Sequence, residues 1–141
     1  MILIRRINKE DHNVVKSFFS KNHKTFLFQN DIIAWGIFEN DQLSGFASME
    51  LQGGKAPLLN NVMVQEDLSN SLVEGLLRTA FYFCYNNHWK TAAVLEVKWL
   101  ENYFPQALDF VLNGSLNNSS YYEIDMKVLF NQPCKGRYTC Q

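Results

Sequence analysis

The residues able to do chemistry are scattered along this chain, and few of them form a set by spacing. Of three cysteines, Cys84 lies in an apolar stretch and reads as a small core residue. Cys134 and Cys140 stand in the tail without a neighbouring histidine. A zinc site needs four ligands, usually with closer cysteine pairs, so reduced thiols and no metal are expected. His12, His23 and His88 pair by spacing with neither Cys nor Asp, which leaves a nucleophilic triad without support. Gly53-Gly54-Lys55 lacks both the first glycine and the final hydroxyl of a phosphate loop, and reads as a hairpin turn. Glu50, near the end of one strand-like segment, and Glu66, after the next, could each take a proton from a nucleophile, but each reads first as a solvated strand-end carboxylate. Glu96 lies in a strand-like segment facing opposite Leu95 and reads as an edge or surface side chain. Asn60-Asn61 interrupts an apolar strand, where asparagine is depleted. The pair belongs to a polar cavity or to an exposed edge. Trp35, Trp89 and Trp99 read as core or interface residues.

The chain must be able to position such groups, and its composition allows it. It has 141 residues, 47% of them hydrophobic, 14% aromatic and 19% charged. That excludes a disordered or collagen-like chain and fits one domain with its own core. We place that domain at residues 1–130 and a tail at 131–141. Lys and Arg number 13 against 14 Asp and Glu, a formal charge of −1. No basic excess drives nucleic-acid binding. No apolar run reaches the ~18 residues of a membrane span. Met1-Ile2-Leu3-Ile4-Arg5-Arg6 puts its charge after the apolar residues, the reverse of a secretory signal. A cytoplasmic protein without membrane or nucleic-acid partners is expected.

The elements follow from periodicity. Ile2 to Ile7 reads as a strand. Asn8 offers a helix N-cap with Glu10 and Asp11 in the first turn, and Val14, Val15, Phe18 and Phe19 recur at helical spacing. Phe26-Leu27-Phe28 fits a short helix, a strand or a lid. Asp31 to Phe38 and Leu43 to Leu51 read as a hairpin about Glu39-Asn40-Asp41-Gln42. Leu58 to Val64 reads as a further strand opened by Pro57. Ser71 and Glu74 fit a capping box, starting a helix from Leu72 to Tyr85 with the stripe Val73, Leu76, Leu77, Ala80, Phe81 and Cys84. Asn86-Asn87 should end it in left-handed backbone. Thr91 to Val97 reads as a buried strand. Trp99 to Leu112 has helical spacing, with Pro105 as a kink or a true first turn. Asn113 to Ser120 is a polar loop, and Tyr121 to Phe130 a last strand. The whole is a mixed, mostly antiparallel α/β (α+β) sheet of about six strands covered by helices.

This order resembles the GNAT superfamily of N-acetyltransferases over roughly residues 2 to 130. Ile4-Arg5-Arg6-Ile7 with Asp11 is similar to that family's opening strand. Phe38-Glu39-Asn40-Asp41-Gln42-Leu43-Ser44-Gly45 resembles its second hairpin, and Val62-Met63-Val64 followed by a helix with Leu76-Leu77 resembles its acyl-CoA-binding segment. The resemblance implies a splayed fourth strand, Leu58 to Val64, parted from a fifth, Thr91 to Val97. Acetyl-CoA would lie between them as co-substrate, held by Val62, Met63 and Val64, by Leu68, Ser69, Asn70, Ser71 and Leu72 at the helix start, and by Asn102. It implies direct transfer to an amine of a small molecule or a protein, with Glu66 as a possible base and Tyr103 as a possible acid. A homodimer is compatible with it.

The chain departs from the family's pattern in two places. Where the family carries Arg/Gln-x-x-Gly-x-Gly/Ala, this chain reads Glu66-Asp67-Leu68-Ser69-Asn70-Ser71, with no glycine before Gly75. Arg78, two helical turns on from Ser71, could compensate for the two acids. Phe110 stands nearest the position of the family's usual tyrosine. Two readings therefore stand: an acyl-CoA-dependent N-acetyltransferase, and a non-catalytic binding domain on the same scaffold.

Overall fold

The computed structural model describes residues 1–29, 31–115 and 122–130, and of 112–115 the backbone alone. The expected tail with Cys134 and Cys140, and most of the expected loop up to Ser120, lie outside the described residues. β1 (Ile2–Arg6) leads through a short 3-10 turn into α1 (His12–Lys21). β2 (Ile32–Glu39), β3 (Gln42–Gln52) and β4 (Lys55–Val64) follow as a meander. α2 (Asn70–Asn86) then crosses to β5 (Thr91–Val94) and α3 (Lys98–Tyr103). A 3-10 stretch, Pro105–Phe110, precedes β6 (Val111–Ser115), β7 (Tyr122–Asp125) and α4 (Met126–Phe130). The strands form one seven-stranded sheet in the order β1-β2-β3-β4-β5-β7-β6. Every pair is antiparallel except β4–β5, which is parallel because α2 carries the chain back across the sheet.

The sheet is buried on both faces. On one, Trp35, Ile37, Ala47, Met49 and Leu59 pack under the α2 stripe Val73, Leu76, Leu77, Ala80, Phe81 and Cys84. On the other, Val15, Phe18 and Phe19 of α1 meet Ala34, Phe38, Phe46 and Met63. Residues alternate between the faces with the period of a strand, so both sets had to be apolar. Asn40 and Asp41 turn the β2–β3 hairpin with φ of 50° and 70°, backbone that Asn and Asp tolerate best after glycine. Gly53 and Gly54 turn the next one at φ of 50° and 87°, which is the work of the Gly-Gly-Lys motif.

Several boundaries differ from the sequence reading. α2 starts at Asn70 with Ser69 as N-cap, and the Ser71–Glu74 capping box does not form. Glu74 is drawn instead to Arg78, one turn on, at 2.8 Å. The end of α2 is as expected, but the left-handed residue is His88, at φ 66°, while Asn87 stays at −99°. β5 stops at Val94, because Leu95 already turns to solvent, 41% exposed. The Trp99 to Leu112 helix is broken at Phe104 and restarts with Pro105 in the first turn of the 3-10 stretch, since proline cannot donate to the preceding turn. Val111–Ser115, divided between helix and loop in the sequence reading, supplies the additional strand β6. Met126–Phe130 is helical rather than extended, because the Asp125 carboxylate accepts the Val128 N–H at 2.9 Å and caps a turn there.

Candidate functional site

β4 carries the irregularity on which the site is built. Against β3, Ser48 faces Asn61 while Met49 faces Leu59, so Asn60 is an extra residue and the strand bulges there. The insertion resets which way the rest of β4 points. Leu59 belongs to the core under α2, Met63 to the core under α1, and Val62 and Val64 pack against the α2 side. Were Asn60 paired in a regular ladder instead of bulging, Val62, Met63 and Val64 would swap faces. Asn60 and Asn61 both oppose Ser48 and so fall on the α1 face. The fully buried Ser48 hydroxyl donates to Asn60 Oδ1 at 2.7 Å, holding the bulge. A bulge of this kind re-aims side chains and ends pairing.

Pairing does end there. β5 bonds to β4 only at Leu58↔Ala93 and Leu59↔Val94. From Asn60 to Val64 the edge of β4 toward β5 has no partner strand among the described residues, and its alternate N–H and C=O groups are open there. A cavity of about 120 Å³ occupies the gap. Leu59, Asn60, Asn61 and Val62 form one wall, and Val94, Leu95 and Glu96 the other, with Lys98 and Trp99 at the start of α3. Lys24, just after α1, closes the lining. Glu96 pairs with Lys98 at 3.0 Å, both more than half exposed, and Lys98 lies 5.8 Å from the centre of the Trp99 ring.

The segment carrying Lys24 is neither helix nor strand. It is pinned by its aromatic residues. Phe26 packs 4.9 Å from Phe19 and from Phe46, and Phe28 stacks on His12 at 3.6 Å. Leu27, between them, is 69% exposed.

At its far end β4 runs on to the start of α2. Gly45 matters here: a Cβ on it would come within 2.9 Å of Ile37 and 3.3 Å of Leu68, so its bare backbone seats the segment before the helix. Ser69, Asn70 and Ser71 are exposed. The N–H groups of Leu72 and Val73 turn to the Ser69 carbonyl, and no backbone acceptor for those of Asn70 and Ser71 is found among the described residues. Ser69 makes no side-chain cap, and its hydroxyl lies 3.4 Å from that of Ser71. An open helix start of this kind suits an anion, while Glu66 and Asp67, exposed just before it, oppose one. Arg78 does not reach it. Its guanidinium is held by Glu74 and by Gln106 at 3.0 Å, over the Phe104 ring.

The residues expected from the sequence thus divide. Val62 lines the cavity. Met63 is buried beneath α1, and Val64, Leu68 and Leu72 pack against the α2 core, so only their backbone could meet a ligand. Ser69, Asn70 and Ser71 share the open helix start. Asn102 is exposed on α3, outside the cavity lining. Tyr103, half-buried, stacks on Trp99 with ring centres 5.8 Å apart, one ring behind the cleft. Glu66 is exposed in the turn after β4, and neither it nor Tyr103 lines the cavity. Cys84 is fully buried, and burial pushes its thiol up to about 12, which keeps it protonated and inert. Sequence reasoning missed Lys24, Glu96, Lys98 and Trp99 as cavity walls. It flagged Asn60-Asn61 as a polar cavity or an exposed edge without finding the bulge, which shows only in the pairing with β3.

No family model matches this chain, and no curated protein matches it significantly. Solved structures do. An N-acetyltransferase from Staphylococcus aureus Mu50 aligns with a TM-score of 0.64 at 18% identity, over 90% of this chain and 99% of its own. An acetyltransferase of the GNAT family from Streptococcus pneumoniae aligns at 0.64 and 13% identity, over 88% and 97%. The chain has the GNAT fold. The PaiA N-acetyltransferase from Thermoplasma acidophilum, in complex with coenzyme A, aligns at 0.61 and 10% identity, over 89% and 98%. At these identities the likeness is one of architecture. Within that GNAT architecture, the separation expected between the fourth and fifth strands is the parting of β4 from β5 after Leu59 and Val94.

Proposed function

We propose that this chain is an acyl-CoA-dependent N-acetyltransferase that moves an acetyl group directly onto an amine. The observation that carries the reading is the bulge at Asn60, where β4 loses β5 and opens a polar cleft. The open edge from Asn60 to Val64 suits the amides of a pantetheine arm, which would continue the sheet as a further strand does. The free N–H groups of Asn70 and Ser71 suit the diphosphate.

In the transfer, the amine nitrogen bonds to the thioester carbonyl carbon, the C–S bond breaks, and the thiolate leaves with the electron pair. Asn60 and Asn61 orient the amine, and an open β4 N–H stabilises the oxyanion. The amine proton passes through water to Glu96, the carboxylate on the cavity lining, and the thiolate is protonated from water. Glu66 and Tyr103 lie off that lining and are not needed for these steps. The second reading, a non-catalytic binding domain, is favoured by one feature: the acids Glu66 and Asp67 where a glycine-rich loop would help.

A thermal shift separates the two. Acetyl-CoA at ~100 times its dissociation constant should stabilise the fold by about 2.7 kcal/mol, and thiol release should follow when amines are added. Stabilisation without thiol release across a broad amine panel would favour the binding domain. No stabilisation at millimolar acetyl-CoA would remove the enzyme reading.

A further inference from the structure

We infer that the acceptor is an amine bearing its own carboxylate, read by Lys24 and Lys98. The inference rests on the transfer reading of the cleft and adds the class of substrate. The formal charges on the cavity lining are Lys24, Lys98 and Glu96. Glu96 is already paired with Lys98, and among the described residues no carboxylate forms an ion pair with Lys24. The cleft therefore presents an excess cation on the α1 side. An amine with further positive charges, such as a polyamine, meets repulsion there. An acceptor with a carboxylate a few bonds from its nitrogen gives Lys24 its missing partner and can share Lys98 with Glu96.

The geometry gives the two ends of such a molecule separate places. The bulge sets Asn60 and Asn61 together on the α1 face, where their amides can hold the nitrogen. Lys24 comes from the segment after α1 and Lys98 from the start of α3, so the anion is read by groups outside the strand that holds the amine. Phe26 and Phe28 anchor the chain beside Lys24, so that cation comes from a fixed segment. Charge-assisted hydrogen bonds of this kind are stronger and more orienting than neutral ones.

The test compares binding and turnover for L-amino acids and their carboxamides, which share a side chain and differ in the anionic group and, through it, in the basicity of the amine. Binding is therefore compared at a pH below ~7, where both amines are protonated. Side-chain amide signals of Asn60 and Asn61 are followed by NMR during titration, in the presence of coenzyme A. The free acids should bind at least tenfold more tightly than the amides. Lys24→Ala and Lys98→Ala, checked for a native backbone spectrum, should each reduce that preference several-fold, and Lys24→Glu should reverse it. Equal or better binding of the amides, or of spermidine, overturns the inference. Thiol release from acetyl-CoA is scored separately. Preference for the acids without any thiol release keeps the inference about the ligand and rejects the transfer reading. Thiol release with an unselective cleft does the opposite.

Discussion

The two edges of β4 behave in opposite ways. Toward β3 the strand is paired from Lys55 to Val64, with breaks in register but none in contact. Toward β5 it is paired at two positions and then stands open. The strand is the same, so the difference comes from its neighbours. β3 runs for eleven residues beside it, whereas β5 stops after four. The bulge needs both conditions, because it is held by Ser48 on the closed side and exploited on the open one. A cleft in a sheet can thus be made by shortening one strand and adding a residue to the next, without changing the core beneath.

The largest effect is expected from removing the added residue. Deletion of Asn60 would close the bulge and leave Asn61, Val62, Met63 and Val64 opposite Ser48, Ala47, Phe46 and Gly45, so the core keeps its phase while the cleft loses its re-aimed wall. Chemical denaturation should find a loss no larger than the ~1–3 kcal/mol of the Ser48 bond, whereas the proposed binding of acetyl-CoA should weaken about a hundredfold, ~2.7 kcal/mol. A deletion variant with unchanged affinity would mean the bulge does not shape the cleft.

Asn60→Ala is a milder break. It leaves the buried Ser48 hydroxyl without its acceptor, at about 1–3 kcal/mol. Adding Ser48→Ala should recover part of that loss, and strict additivity in the double-mutant cycle would show that the bond contributes nothing.

Next in size is the wall opposite. Under the proposed transfer, Trp99→Ala should lower kcat/KM roughly tenfold, equivalent to ~1.4 kcal/mol, while Tyr103→Phe should stay within about twofold. A large loss in Tyr103→Phe, with kcat falling and its alkaline limb moving, would restore the phenol to a catalytic role.

The smallest effect is a control on the closed side. Arg5 holds Asp11 through two bonds of 2.8 and 2.9 Å, and Asp11 also accepts the Asn8 N–H at 2.8 Å. The Arg5 bond, followed by the Asn8 one, outweighs burial and keeps the Asp11 carboxyl below its usual range. Its stabilisation is therefore complete above the unfolded value of ~3.9 and fades as pH drops through the lower folded value. Arg5 is partly exposed, which limits the contribution to about 1 kcal/mol. Below about pH 4 the native protein should lose more of its Tm than Asp11→Asn does, with ligand affinity of the cleft at neutral pH the same in both.

These regions were not equally legible in the sequence. The closed parts were readable because their signals are periodic. The α2 stripe, the β2–β3 hairpin and the strand order all follow from spacing that repeats several times. The open parts depend on single residues that end or offset a pattern. Nothing within Leu58 to Val64 says that Asn60 is supernumerary until the partner of Ser48 is known. Ser69 and Ser71 are equally good caps, and the choice fell to the one that frees Glu74 for Arg78. β5 ended early because Leu95 leaves the sheet, although Leu95 is as apolar as its buried neighbours. Met126–Phe130 fits either period, and the Asp125 cap decided it. The site residues inherited these limits. Ser69, Asn70 and Ser71 share the exposed start of α2 and Val62 lines the cavity, whereas Lys24, Glu96, Lys98 and Trp99 reach the cleft only because the flanking elements stop where they do.

The anchored rings around Leu27 carry one more consequence. With Phe26 sunk between Phe19 and Phe46, and Phe28 clasped by His12, the span of the cleft on that side is gauged before any guest arrives. In the proposed reading, discrimination would work like a fixed caliper: a molecule of the wrong breadth would be turned away at the door, and the right one would forfeit little freedom of the host on entering. Loosening either rivet, Phe26 or Phe28, should widen the range of guests accepted while blunting the cleft's grip on its best one.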